Sequence, residues 1–438
     1  MDTFSALREA ISELPVIETH THYTSNTETY DDVFPIVLGY IKSDLRIAAG
    51  SEATGLVRLL ADTEKPFEQR ARLFEQVYAK CRFSSYTRAM LRGLRACWGV
   101  ENVSYRSLCA LNERLGERNN EMLARILQEH HVVAQVADIF ESRFFAIMEG
   151  KDNDYSPVSR FAFPLPAFHR LYNEADLRGL ESILGVLPAS LDGYVQKVDA
   201  LLEKAALWGA VCVKDQSAYF RSLDYQHPTR CEAEKAYNRL LSRPLVGLGD
   251  AEGKPLDDWL FQHFVEKAGE LQLPVQLHTG LQDRVVMYDD RNGGDCRMAD
   301  AALLIPTLER QRNVNFDLFH GNWPYLDTIL FLGKNFPNVW VDLCWVQTID
   351  PLYAIEAMKR AVLCLPTSKL FAFGGDAFAM ENGIGYLEQA LDNIAKALSE
   401  LVDGAWINPE EALEIARIWL YDGPRDFFHI TFPQEKGA

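Results

Sequence analysis

From residue 131 onward, short β-branched or apolar runs alternate with longer amphipathic stretches, and this rhythm limits the folds open to the chain. Runs at 132–138, 160–165, 206–213, 273–278, 313–320, 339–343 and 370–376 read as strands. The run at 160–165 ends near Pro164, which has no N–H to give to a ladder. Helical patterns lie between them, at 192–207, 231–241, 256–271, 297–310, 325–336, 351–363 and 385–401. An earlier apolar run at 15–22 makes eight strands. Strands joined through helices pair in parallel. Eight such α/β units most naturally close into a (β/α)8, or TIM, barrel.

The stretch 24–130, between the first two strands, holds no convincing strand. Helical patterns recur at 33–48, 54–62, 66–80, 84–97 and 104–130, with Pro66 suited to a first helical turn. It reads as a helical insertion within a single domain spanning 1–438. Its Tyr86, Arg88, Arg92, Arg95 and Trp98 read as packing and solvated-face residues. Residues 1–13 form an amphipathic helix on Phe4, Leu7, Ile11 and Leu14. A helix at 409–419, followed by Phe427, Phe428 and Phe432, is expected to pack on the outside of the barrel.

The net charge of −18 argues against nucleic acid as a partner, because a phosphate backbone needs a basic footprint. No apolar run is long enough to span a membrane, and the first residues lack the basic-then-apolar pattern of a signal peptide. The 8 cysteines are scattered, without a Cys-x-x-Cys pair, and read as reduced thiols in a cytoplasmic protein. The expected partner is a small-molecule substrate. A homo-oligomer is compatible with this reading.

The residues with chemistry gather at strand ends. In a TIM barrel the functional face lies at the carboxyl ends of the strands. His20 and His22 end the first strand on one side of it, Lys214 the fourth, His278 the fifth, His320 the sixth and Asp376 the eighth. The chain has 10 histidines, and four of them stand at these ends. One such histidine would be structural; four with an aspartate, at the ends of four strands, point to a metal site. Histidine nitrogens and a carboxylate suit a divalent ion, zinc first and manganese second, at roughly one or two per chain. Such an ion polarises a carbonyl and brings the pKa of bound water toward neutrality. Asp376 can then accept and return a proton. His320 could bind a second ion or hydrogen-bond the substrate carbonyl. Glu18, with the same strand parity and lying deeper, is expected to support the histidines or to be a buried structural carboxylate.

The ligand set His20-x-His22, Lys214, His278, His320 and Asp376 resembles, strand for strand, the metal site of the amidohydrolase superfamily. The strings His278-Thr279-Gly280, His320-Gly321-Asn322-Trp323-Pro324, Val339-Trp340-Val341-Asp342-Leu343 and Phe373-Gly374-Gly375-Asp376-Ala377 are similar to its amidohydrolase-2 branch. The stretch 214–223 is similar to members related to glutamine-synthetase-like proteins. It departs from them at Asp215-Gln216. The helical insertion resembles that of the uronate isomerases, which belong to the same superfamily. The resemblance covers 14–380. It implies catalytic roles for Asp376, His320 and Lys214. It also implies metal contact through Lys214, which as a carbamate would bridge two ions. An unmodified ammonium touching substrate or pairing with an acid is the other reading.

Arg221 and Arg284 follow the fourth and fifth strands, where a guanidinium fork suits a substrate carboxylate. Trp323 and Trp345 stand where they could wall the pocket. The reaction expected is hydrolysis of an amide or ester-like bond in a small, carboxylate-bearing molecule. The alternatives are aldose–ketose isomerisation of a uronic acid, metal-dependent decarboxylation, and a catalytically silent barrel used as a binding module.

Overall fold

The computed structural model describes residues 2–28, 30–50, 55–281 and 294–432. Eight strands form one sheet in sequence order: β1 (Val16–Thr21), β2 (Val132–Ala137), β3 (Ser159–Pro164), β4 (Cys212–Asp215), β5 (Val275–Leu277), β6 (Phe316–Leu318), β7 (Val339–Asp342) and β8 (Leu370–Phe371). Every neighbouring pair is parallel. Backbone bonds from Thr19 N to Phe373 O (3.1 Å), Asp376 N to His20 O (3.0 Å) and His22 N to Ala377 O (2.9 Å) join the segment after β8 to β1. The expected (β/α)8 barrel is therefore present.

Element bounds differ from the sequence reading in instructive places. The fourth strand is not 206–213 but Cys212–Asp215, because the preceding helix runs on from Leu191 to Trp208. An apolar run such as Ala206-Leu207-Trp208 suits either state. Gly209, at φ +118°, ends the helix. The single helix expected over 104–130 is two, Tyr105–Glu113 and Asn120–Glu129, each started by its own cap. Ser104 accepts from Ser107 N and Asn119 from Met122 N. Helices at Glu141–Met148 and Glu174–Leu184 were not foreseen.

The insertion packs on the β8 side of the barrel mouth. Its helix Ser85–Trp98 crosses the long helix Met380–Asp403 that follows β8. The crossing is close because both contact residues are glycine. A Cβ on Gly93 would stand 1.8 Å from Glu381 O, and one on Gly385 2.1 Å from Ala89 O. At the crossing's edge, buried Glu381 accepts from Trp98 Nε1 (3.2 Å) and from Arg118 (3.0 Å).

The tail is a correction. Phe427, Phe428 and Ile430 do not lie on the outer wall. They cluster with Ile17, Ala134, Val136, Ala162, Cys212 and Phe371, from five strands. Strand neighbours Val16, Phe163 and Val213 belong instead to the layer shared with the helices. This alternation separates barrel interior from outer layer. The tail thus plugs the amino end of the barrel and leaves the carboxyl end for chemistry.

Candidate metal centre

β1 carries His20 to the barrel mouth, with His22 just past its end, and the turn after β8 brings Asp376 to meet them. Asp376 Oδ1 lies 3.2 Å from His20 Nε2 and 2.8 Å from His22 Nε2. His20 and Asp376 are buried and His22 nearly so; the ligand atoms all fall within 4.8 Å of one another. Asp376 is held on several sides. Its backbone N–H bonds His20 O, and its carbonyl accepts from Tyr40 Oη of the insertion at 2.8 Å. The preceding Gly375 N–H donates to Glu18 Oε1 at 3.2 Å. Glu18 also takes a bond from Gln135 Nε2, at 2.5 Å, and burial raises its pKa to about 7. Its support thus reaches the Asp376 turn, not the histidine rings.

The backbone here is strained. His320 (φ 63°), Asn322 (φ 54°), Trp345 (φ 59°) and Asp376 (φ 52°) are left-handed although none is glycine. All four follow β6, β7 or β8. Such conformations cost on the order of 1–3 kcal/mol each and gather at functional sites. In the β5 turn, Gly280 (φ +78°) is required. A Cβ there would come 2.4 Å from Trp323 O.

Counting protons tests whether this set suits a cation. His22 Nδ1 lies 2.8 Å from Asp138 O, a carbonyl that can only accept, so Nδ1 carries the proton. In a neutral ring Nε2 is then a lone pair facing the Asp376 carboxylate, two acceptors at 2.8 Å. Either a second proton or a cation must lie between them. Burial opposes charge on His22, but Asp376 outweighs it and the pKa is raised. Burial also opposes charge on Asp376, yet hydrogen bonds from His20 and His22 hold its carboxyl well below the usual range. A carbonyl on Nδ1 that leaves Nε2 to a metal is the arrangement metal-binding histidines commonly show. The donor set fits a divalent ion held by His20, His22 and Asp376.

His278 and His320 stand apart from that trio as a pair. His320 Nδ1 faces Cys344 O (3.0 Å), its Nε2 faces His278 Nδ1 (2.9 Å), and His278 Nε2 faces Leu281 O (2.6 Å). Three contacts need three N–H groups, and two neutral rings have two. Burial, then the Lys214 charge, lowers His278 to about 4. Burial, then His278, lowers His320 well below its ordinary value. One contact therefore sets acceptor against acceptor, and a cation near the pair relieves it. Lys214, buried in β4, places Nζ 3.9 Å over the Phe319 ring. Burial, and next the Lys214 charge, holds His20 at about 3.

The sequence profile of the amidohydrolase family matches residues 129–428. The chain belongs to the amidohydrolase family. The match starts just before β2, so β1 with its two histidines joins the site on geometry. Among relatives, protein fluG of Emericella nidulans is 21% identical over 446 residues. That alignment covers 98% of this chain and 47% of the fungal protein, so this amidohydrolase spans about half the length of the relative it matches. Among solved structures, uronate isomerase of Thermotoga maritima superposes with a TM-score of 0.78 at 16% identity, covering 97% of each chain. A Lactobacillus casei protein described as a metal-dependent hydrolase gives 0.64 at 15%, covering 98% of each. At these identities the structural likeness shows the fold. Membership places the chain in a family of enzymes.

The expected substrate arginines fare differently from the ligands. Arg221 is occupied within the protein: Nη1 pairs with Asp257 Oδ2 (2.8 Å) and Nη2 with Asp258 Oδ1 (2.5 Å). Arg284 lies outside the described residues. Trp323 is half-buried with Nε1 3.4 Å from Asp350, and Trp345 is buried, stacked on Tyr40 at 4.3 Å and edge-on to His320 at 5.1 Å. Sequence reasoning missed Asp138 and Tyr40. Asp138 follows β2 much as His22 follows β1, and that position was a usable signal. Tyr40 has none, because it reaches Asp376 from a helical insertion.

Among the described residues no helix is long and apolar enough to cross a membrane.

Proposed function

We propose that this amidohydrolase is a metal-dependent hydrolase acting on an amide or ester-like bond of a small, carboxylate-bearing molecule, with zinc as its ion. The observation that carries the reading is the convergence of His20 Nε2, His22 Nε2 and Asp376 Oδ1 at the barrel mouth. An ion bound there supplies Lewis acidity and makes water a nucleophile near neutral pH. Asp376 takes up the proton released in the attack and passes it to the leaving group. The rings of His20 and His22 beside it hold its carboxyl low, so it is ionised at neutral pH. His22 is oriented by the Asp138 carbonyl, which keeps its Nε2 lone pair turned to the site. His278, whose lone pair a nearby cation satisfies, adds to the ligands of that ion, and His320 lies against the substrate. Lys214 stays an ammonium that touches substrate, and the site holds a single ion. The barrel works in the cytoplasm as one domain.

The test is turnover. Protein reconstituted with zinc or manganese is offered N-acyl amino acids, small carboxylate esters and glucuronate. Hydrolysis of an acyl bond supports the proposal. Isomerisation of glucuronate without hydrolysis of any acyl compound overturns it in favour of the isomerase alternative.

A further inference from the structure

A cavity of about 820 Å³ lies over the ends of β3 and β4. Pro166 and Ala167 line it directly after β3, and Phe220 and Ser222 after β4. None of His20, His22 and Asp376 lines it; its links run to Lys214 and His278, through neighbours of the lining residues. Leu165 N donates to Lys214 O (2.9 Å), and Tyr219, beside Phe220, holds its ring 4.2 Å from that of His278. Three cationic side chains line the cavity, and two are already paired. Arg221 is held by Asp257 and Asp258. Lys254 Nζ bonds Asp258 Oδ2 (2.5 Å) and Asp224 O (2.6 Å).

Arg170 is the third. No carboxylate among the described residues lies within ion-pair distance of it, and its buried Nη1 has no acceptor. Its guanidinium carbon sits 4.5 Å from the Phe220 ring centre and 5.9 Å from that of Tyr172. Asp257 feels its charge but holds other partners. Oδ1 is taken by His169 (2.5 Å), and Oδ2 by Arg221 (2.8 Å) and Tyr172 Oη (3.0 Å). A guanidinium stacked on aromatic rings keeps a planar edge for a carboxylate. The neighbouring Pro166, Phe220, Leu248 and Met298 suit a hydrocarbon body. The lining acids Asp176 and Asp250 count against a dianion such as phosphate.

We propose that this cavity is the substrate's carboxylate subsite and that Arg170, not Arg221, is its anchor, for a monocarboxylate with a short apolar body. This rests on the hydrolase reading for its place in the reaction. Its test reads binding alone, so the two fail separately. Calorimetry compares 3-phenylpropionate with its uncharged amide on the purified protein, on Arg170→Met and Arg170→Lys, and on His22→Ala. The acid is expected to bind at least about tenfold tighter than the amide and to lose at least about tenfold in Arg170→Met, with Arg170→Lys between. His22→Ala is expected to bind it like the unaltered chain. The proposal is overturned by equal binding of acid and amide, or by no binding of the acid up to about 10 mM. It is also overturned by unchanged binding in a folded Arg170→Met, or by loss of binding in His22→Ala, which would put the carboxylate on the metal. Should both Arg170 variants fail to fold, the acid–amide comparison on the unaltered chain still decides.

Discussion

Replacing Asp376 by asparagine separates holding a metal from moving a proton. The side chain keeps its shape, and an amide oxygen at the Oδ1 position can still face His20 and His22, now at 3.2 and 2.8 Å from the carboxylate. Its backbone bonds to His20 and Tyr40 do not involve the side chain. What disappears is a negative charge and the ability to accept a proton. General acid–base catalysis contributes roughly 10²–10⁴ in rate, about 2.7–5.4 kcal/mol of barrel-mouth chemistry at 1.36 kcal/mol per tenfold. We expect Asp376→Asn to retain much of its metal while kcat falls by at least about a hundredfold. The assay is steady-state hydrolysis of a confirmed acyl substrate, with kcat divided by the metal content of the same sample. Asp376→Ala, which also removes the ligand atom, is expected to lose metal. If Asp376→Asn at full occupancy turns over within about threefold of the unaltered enzyme, Asp376 is not the proton carrier and the reasoning fails.

Arg221→Ala is expected to act on stability rather than on substrate. It leaves Asp257 and Asp258 buried with fewer partners, at a cost of about 3–5 kcal/mol read by denaturant melting; a raised KM in a stably folded variant would contradict this. Metal-free protein is expected to lose thermal stability as pH falls from 7 to 5. His20 and His278, held by burial and then Lys214 at about 3 and about 4, stay neutral when folded but take protons when unfolded below the ordinary 6.5. His22 opposes the trend, since a raised pKa gives stability present below 6.5 and lost as pH rises through its folded value. His278→Gln should flatten the slope, measured as Tm against pH. Lys214→Met should keep roughly one ion per chain, because an ammonium repels a dication, whereas a bridging carbamate would make the second ion vanish with it.

Much of the barrel was legible because period and punctuation agree. β-Branched runs followed by polar groups mark β2 and β7, and the strand-end rule places His20, His22 and Asp376 together. Where the pattern admits two states it misled. Ala206-Leu207-Trp208 is apolar enough for either, and helix continuity decided it. The aromatic tail reads as an outer layer because nothing local shows that Phe427 and Phe428 fill the amino end of the barrel. Arg221 was legible as a cation near the mouth but not as a paired one. Asp257 and Asp258, its partners, come from a helix some thirty-six residues on. For the same reason Arg170, which lacks such partners, did not stand out.

The central claim is that His20, His22 and Asp376 hold one divalent ion. Elemental analysis of the purified protein, beside His22→Ala prepared identically, tests it directly. The account predicts roughly one zinc or similar ion per chain, lost from the variant together with turnover. Full activity in a metal-free preparation, or a metal content untouched by His22→Ala, would contradict it.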